Sequence, residues 1–270
     1  MEKEKRIYIL GICSMESEEI VNRIAYKLNY IISLAKRNYP DIEWVFKCSL
    51  DKANRTSIDS FRGLGFEEGI RILKNIKEKY GCKILTDIHL PSQAKKVAEV
   101  ADIIQIPAFL CRQTDLLVEA GKTGKAINIK KGQFLSPEAV KHIAKKIEST
   151  GNHDIMFTER GTFFGYNNLV NDFRSLKIIQ DMGYKVIYDA THSQQKPSIG
   201  ETTDGARQFI LPMTRGAVAV GVDGLFAEVH DDIGHAKCDK SNALDFKHVY
   251  NFIKHTYDIW NLTDEYKKED

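Results

Sequence analysis

Residues 44–57 read WVFKCSLDKANRTS. The apolar run Trp44-Val45-Phe46 stops abruptly on Lys47, Ser49, Asp51, Lys52, Asn54, Arg55, Thr56 and Ser57. A strand that ends this way delivers positive charge and hydrogen-bond donors to one small region. Such a region suits an anionic small molecule carrying phosphate and carboxylate. Taken alone, a single basic stretch of this kind is more often a solvated, turn-rich loop. The fold is decided by the recurrence of the same ending along the chain.

Short apolar strands are expected at 6–12, 44–48, 83–87, 103–106, 126–129, 154–158, 185–189 and 224–228. Helices are expected between them at 17–37, 67–79, 91–99, 115–122, 137–149, 169–182 and 207–220, with a closing helix at 243–260. Ser136 reads as an N-cap and Gly183 as a C-cap. Just past the apolar runs sit Cys13, then Lys47 and Lys52, Asp87 and His89, Gln105, Lys130 and Lys131, Glu159 and Arg160, Asp189 and His192, and Glu228 and His230. Eight strand–helix units with strands apolar on both sides imply a parallel sheet covered by helices. The expected fold is a single-domain (β/α)8 TIM barrel over residues 1–270, because that fold gathers eight strand ends on one face. An open doubly wound sheet is the runner-up. Residues 194–206, long, polar and glycine-bearing, are a candidate mobile lid.

The 270 residues carry a formal charge of +2, which argues against a nucleic-acid footprint. No apolar run has the length of a membrane span, and the charged N-terminus does not read as a signal peptide, so a cytoplasmic location is expected. The five cysteines are scattered and form no CxxC pair. No disulfide framework is expected, and most should be buried thiols.

Lys47, Lys52, Arg55, Lys130 and Arg160 form a candidate positive well. Crowded at barrel strand ends, they would repel one another unless an anion with more than one charge were bound. Cys13, His192, Glu228 and Asp239 form a second set, brought together if strand eight closes on strand one. One sulfur, one imidazole and two carboxylates could hold zinc, iron(II) or manganese. A packed Cys13 and a hydrogen-bonded His192 explain the same residues without a metal, and His89, His230 and His235 are alternative ligands by type.

KANRTS at 52–57, TDIH at 86–89, DIIQIPAFLCRQTDLL at 102–117, INIKKGQF at 127–134, ERGTFFGYNNLVNDFRSL at 159–176, VIYDATHS at 186–193 and AEVHDDIGHAKCD at 227–239 closely resemble the 3-deoxy-D-manno-octulosonate 8-phosphate synthase family. The resemblance runs from about residue 7 to residue 245. It implies a barrel, usually homotetrameric, that condenses phosphoenolpyruvate with D-arabinose 5-phosphate and water for lipopolysaccharide synthesis. It implies that Lys47, Ser49, Lys52, Gln105, Lys130 and Arg160 hold phosphoenolpyruvate. Asn54, Arg55 and Thr56 would hold the sugar phosphate, and Arg112 would reach a neighbouring subunit's site. Asp87 and His89 would position the reacting water. Lys52, Asp87, His89 and Lys130 make up the candidate catalytic set. Cys13 is similar to the metal-dependent class, with His192, Glu228 and Asp239 as its partners.

Three features depart from the pattern. Ile12 stands where the family has proline, 201–206 lacks paired glycines, and Cys238-Asp239-Lys240 is more typical of the metal-independent class. Other phosphoenolpyruvate–aldose condensing enzymes, making 3-deoxy-arabino-heptulosonate 7-phosphate or nonulosonic acids, are the nearest alternatives. The heptulosonate enzymes carry a KPRTS-like loop where this chain has KANRTS. A barrel that only binds sugar phosphates is the non-enzymatic alternative.

Overall fold

A computed structural model of the chain describes residues 5–55, 57–163, 165–166, 168–196, 204–238 and 240–266. Eight parallel strands run in sequence order: β1 (Arg6–Ser14), β2 (Ile42–Ser49), β3 (Lys83–Asp87), β4 (Ile103–Ile106), β5 (Ala126–Lys130), β6 (Ile155–Glu159), β7 (Lys185–Asp189) and β8 (Gly224–His230). The sheet closes through β1 and β8, with Ile9 opposite Phe226 and Gly11 opposite Glu228. This is the expected (β/α)8 barrel. The helices are α1 (Glu18–Ala35), α2 (Phe66–Tyr80), α3 (Ala94–Val97), α4 (Thr114–Lys122), α5 (Val140–Glu148), α6 (Arg174–Asp181), α7 (Ile210–Val220) and α8 (Val249–Tyr266).

Each helix forms for local reasons and is held by burial of one face. In α1 the Ser17 hydroxyl accepts the Ile20 N–H at 3.1 Å, and Glu18 and Glu19 face the positive end of the helix dipole. Val21, Ile24, Ala25, Leu28 and Ile32 then pack onto the barrel. At the far end of α6, Gly183 takes φ +90°, a left-handed turn that favours glycine.

Two apolar layers result. Residues facing outward along the strands, such as Leu10, Phe46, Ile104, Ile129, Phe157, Tyr188 and Ala227, pack under the helices. Ile9, Val45, Leu85, Ile103, Met156, Ile187 and Phe226 form a separate cluster that fills the barrel.

Several boundaries differ from the expectation. The stretch 91–99 is a single turn, Pro91–Gln93, followed by the short α3, after which the Val100 and Ala101 N–H groups both close on the Val97 carbonyl and Asp102 N–H already pairs with Ile84 of β3. Helix α6 begins at Arg174 rather than 169, since Val170 is paired to Thr162 in an isolated bridge. Ser136 gives no side-chain cap, and Pro137 opens the turn instead. The last helix begins at Val249 because Leu244–Asp245 adds a short strand beside Val229–His230. Of the candidate lid, residues 197–203 lie outside the described residues; its flanks pair antiparallel, Gln195 with Gly205 and Lys196 with Asp204.

Candidate active site

Side chains alternate across a strand, so the residue two beyond an inward apolar residue also faces inward. This rule builds the site. Val45 is followed by Lys47 and Ser49, Leu85 by Asp87, Ile103 by Gln105, Met156 by Thr158 and Arg160, Ile187 by Asp189, and Phe226 by Glu228. Lys130 follows inward Asn128, whose amide bonds the Thr158 hydroxyl at 2.7 Å. The polar mouth therefore rests directly on the barrel's apolar filling.

Lys47, 1% exposed, donates to Glu228 Oε1 at 2.7 Å and to the Cys13 carbonyl at 2.9 Å. Gly11 permits this: a Cβ there would collide with the Lys47 backbone. Lys52 Nζ lies 3.8 Å from the same Glu228 oxygen. Burial opposes ionisation of Glu228, but Lys47, His192 and Lys52 outweigh it and bring its carboxyl down to about 2. Burial alone would lower the Lys47 ammonium, yet Glu228 and Asp87 hold it above the usual lysine range.

Across the mouth, Lys130 is paired with Asp189 Oδ2 and sits over the Phe226 ring, 3.2 Å from its centroid. The same carboxylate oxygen meets His192 Nδ1 at 2.8 Å. Burial pushes the Lys130 ammonium down to about 8, despite the upward pull of Asp189. Asp189 stays well below the usual carboxylate range, because His192 and Lys130 outweigh its own burial. His89 Nε2 is 3.4 Å from Asp87 Oδ2, and Asp87 is likewise held low against its burial by His89, Lys52 and Lys47. Arg160 donates to Gln195 Oε1 at 2.6 Å, joining the mouth to the base of the candidate lid.

The expected positive well is thus gathered, with one correction. Its lysines do not need an added anion to coexist, because Glu228 and Asp189 stand between them. Cations still outnumber carboxylates once Lys52, Arg55 and Arg160 are included. Buried Ser49 Oγ, Gln105 Oε1 and Asp87 Oδ1 have no hydrogen-bond partner among the described residues. Unsatisfied buried polar atoms are costly, and these three lie on inward positions of β2, β3 and β4. Of these atoms only the Ser49 hydroxyl can donate to an anion; the Gln105 and Asp87 oxygens accept and suit a hydroxyl or a water, while the lysines and Arg160 supply the charge.

Arg55 lies at the rim, donating to the Phe61 carbonyl at 3.0 Å, and Asn54 is exposed beside it. Arg112 is exposed on the turn after β4. Thr56 and Asp239 lie outside the described residues. Lys131 and Glu159, expected at strand ends with the others, face outward instead: they lie 3.4 Å apart, and Glu159 accepts from Gly161 N–H and the Ser175 hydroxyl.

The cysteine expectation is overturned at one pair. Cys13 is bonded to Cys238, with Cα atoms 6.6 Å apart. The sequence separation of 225 hid this pair, and barrel closure creates it. Cys238 is carried back over β1 by the loop after β8, pinned where the Lys237 N–H donates to Glu16 Oε1 at 2.9 Å. Cys48, Cys82 and Cys111 are buried free thiols, as expected.

Of the candidate metal set, His192 Nε2 and Glu228 Oε1 are 3.5 Å apart, and Glu228 Oε2 is buried without a hydrogen-bond partner among the described residues. These two fit a cation. Cys13 fits only once its bond to Cys238 is reduced, and no three His, Cys, Asp or Glu side chains among the described residues converge on one point. His230 does not join them, since its Nε2 faces Glu16 at 3.6 Å. The sequence marks Asp189 only as a strand-end residue without a role and Phe226 only as part of a strand, yet both meet Lys130 in the mouth. The signal was present in both: Asp189 follows inward Ile187 by two, and Phe226 precedes Glu228 by two.

A (β/α)8 barrel with lysines, carboxylates and a histidine converging at the C-terminal ends of its strands has the architecture of a barrel enzyme for an anionic substrate. The chain belongs to the DAHP synthetase I family, which it matches over residues 2–266. It is 48% identical over 258 residues to the 2-dehydro-3-deoxyphosphooctonate aldolase of Fusobacterium nucleatum, covering 95% of this chain and 91% of that one. The protein of the same name from Syntrophotalea carbinolica is 51% identical over 247 residues, covering 91% of this chain and 87% of that one. That of Campylobacter jejuni strain RM1221 is 46% identical over 276 residues, covering 98% and 100%.

Proposed function

We propose that the chain joins phosphoenolpyruvate, D-arabinose 5-phosphate and water into 3-deoxy-D-manno-octulosonate 8-phosphate, releasing phosphate, for lipopolysaccharide precursor synthesis. The relatives' name supplies the eight-carbon 3-deoxy keto acid, and a three-carbon enol phosphate plus a pentose phosphate gives that count. The observation that carries the reading here is the cationic mouth, in which Lys47, Lys130 and Arg160 are all buried at strand ends and the buried Ser49 hydroxyl has no hydrogen-bond partner among the described residues.

In this reading Lys47, Ser49, Lys52, Gln105, Lys130 and Arg160 bind the carboxylate and phosphate of phosphoenolpyruvate, and Asn54, Arg55 and Thr56 bind the sugar phosphate. The enol carbon attacks the aldehyde, water adds to the neighbouring carbon, and phosphate leaves by C–O cleavage. Asp87 and His89 orient the water, and Lys130 and His89 move protons. Arg112, exposed on its turn with Phe109, completes a neighbouring site in a cytoplasmic homotetramer. In the reduced enzyme Cys13, His192, Glu228 and Asp239 would hold a divalent ion, with zinc, iron(II) and manganese as the candidates. The ion would supply charge that polarises a bound oxygen.

The family's description favours a second reading, synthesis of the seven-carbon heptulosonate phosphate from erythrose 4-phosphate. KANRTS at 52–57, which contains the rim arginine Arg55, speaks for the pentose. Phosphate release with arabinose 5-phosphate against erythrose 4-phosphate, with and without a chelator, tests all of this. Turnover with the pentose alone is expected, and turnover with the tetrose alone overturns the reading.

A further inference from the structure

We infer that Asp189 is a positioning residue that fixes Lys130 and the His192 imidazole in one shared geometry. The inference rests on the proposed role of His192 toward a divalent ion. Asp189 is fully buried, and its carboxylate cannot turn. Oδ1 accepts the backbone N–H groups of Thr191 at 3.2 Å and His192 at 2.9 Å, and the Thr191 hydroxyl at 3.2 Å. Oδ2 is thereby aimed into the mouth, where it takes both the Lys130 ammonium and His192 Nδ1.

An ionised carboxylate can only accept, so Nδ1 must carry the proton it donates. Nε2 then faces Glu228. A carboxylate behind a histidine in this way sets both the tautomer and the direction of the ring, and its loss costs metal affinity. Thr191 extends the tie, because its Oγ1 accepts the Glu228 N–H at 3.2 Å. One carboxylate thus links β5, β7 and β8, and joins the lysine that meets the anion to the histidine that meets the cation.

The test uses full-length enzyme with its cysteines reduced, titrated with Co2+ alone and followed by visible absorption and equilibrium dialysis. Asp189→Asn is expected to bind Co2+ about 10–100-fold more weakly than the wild type. Lys130→Met is expected to bind it unchanged. Because Asp189→Asn strands a buried ammonium, the double variant Asp189→Asn/Lys130→Met, which removes both charges, guards against misfolding and is expected to show the same loss. Wild-type affinity in Asp189→Asn and in the double variant overturns the inference and leaves the metal reading standing. An equal loss in Lys130→Met overturns it too, as that would be a general packing effect. No Co2+ uptake by the wild type overturns the metal reading and this inference together.

Discussion

The Lys130 ammonium lies 3.2 Å from the centroid of the Phe226 ring, so the charged floor of the mouth sits directly on the apolar filling of the barrel. A cation over an aromatic face is attracted to it, but this one has given up water to be there. Lys130 is therefore held firmly in place and is easier to deprotonate than an ordinary lysine.

Lys130→Met should lower turnover by about 10²–10³-fold, the usual loss when one preorganised electrostatic partner is removed. Folding should persist, because Asp189 keeps His192 and three donors from Thr191 and His192. Steady-state phosphate release with both substrates, alongside circular dichroism, measures this. Near-normal turnover removes Lys130 from the chemistry.

The pH profile follows from the same group. If the ammonium binds the anion, kcat/KM for phosphoenolpyruvate should fall as pH rises through about 8. Lys130→Arg should move that limb upward. Stability should run the other way: the folded pKa lies below the unfolded value of 10.5, so the unfolded chain holds more protons between the two. This site then adds stability as pH rises across that window. An activity limb unmoved in Lys130→Arg would assign it to another residue.

Acid should attack the opposite wall. The folded pKa of Glu228, about 2, lies below the ordinary 4.5, so its contribution is complete above 4.5 and fades as pH falls toward 2. Urea melts of the wild type should lose stability through that range. Glu228→Gln should be less stable at neutral pH by about 3–5 kcal/mol, because it leaves Lys47 buried and unpaired, and should show a shallower acid slope.

Gly11→Ala should destabilise the fold by about 1–3 kcal/mol or more, since the added methyl meets the backbone of β2 and not a side chain that could swing away. The strain falls on Lys47, so KM for phosphoenolpyruvate should rise as well. Thermal melts and kinetics of the one variant report both effects.

Thiol titration of denatured, unreduced protein should find three free thiols, those of Cys48, Cys82 and Cys111, and reduction should release two more. Divalent-ion binding should appear only after that reduction. Five thiols without reductant would mean that the Cys13–Cys238 bond is absent from the isolated protein.

The barrel was legible because its period is written in every unit: a short apolar run, then chemistry, then a helical face. The mouth lysines were legible for the same reason. The pairing of Lys47 with Glu228 was not, because they stand 181 residues apart and only closure of β8 on β1 brings them together. Strand-end position alone set Lys131 beside Lys130, and only the family resemblance singled out Lys130; one step along a strand reverses the face, and only Lys130 enters the mouth. Cys238 read as a departure from a family pattern; the Glu16 tether that carries it to Cys13 left no mark in spacing.

Closure of β1 on β8 also orders events during synthesis. Lys47 emerges early, and the carboxylate that neutralises it is made 181 residues later, on the last barrel strand. At about 5–20 residues per second, a bacterial or eukaryotic ribosome takes some ten seconds or more to cover that distance. For that interval the half-made barrel must keep the Lys47 ammonium wet and its interior open. The final strand therefore dries the core and finishes the site in one stroke, and a chain cut short before Glu228 has neither.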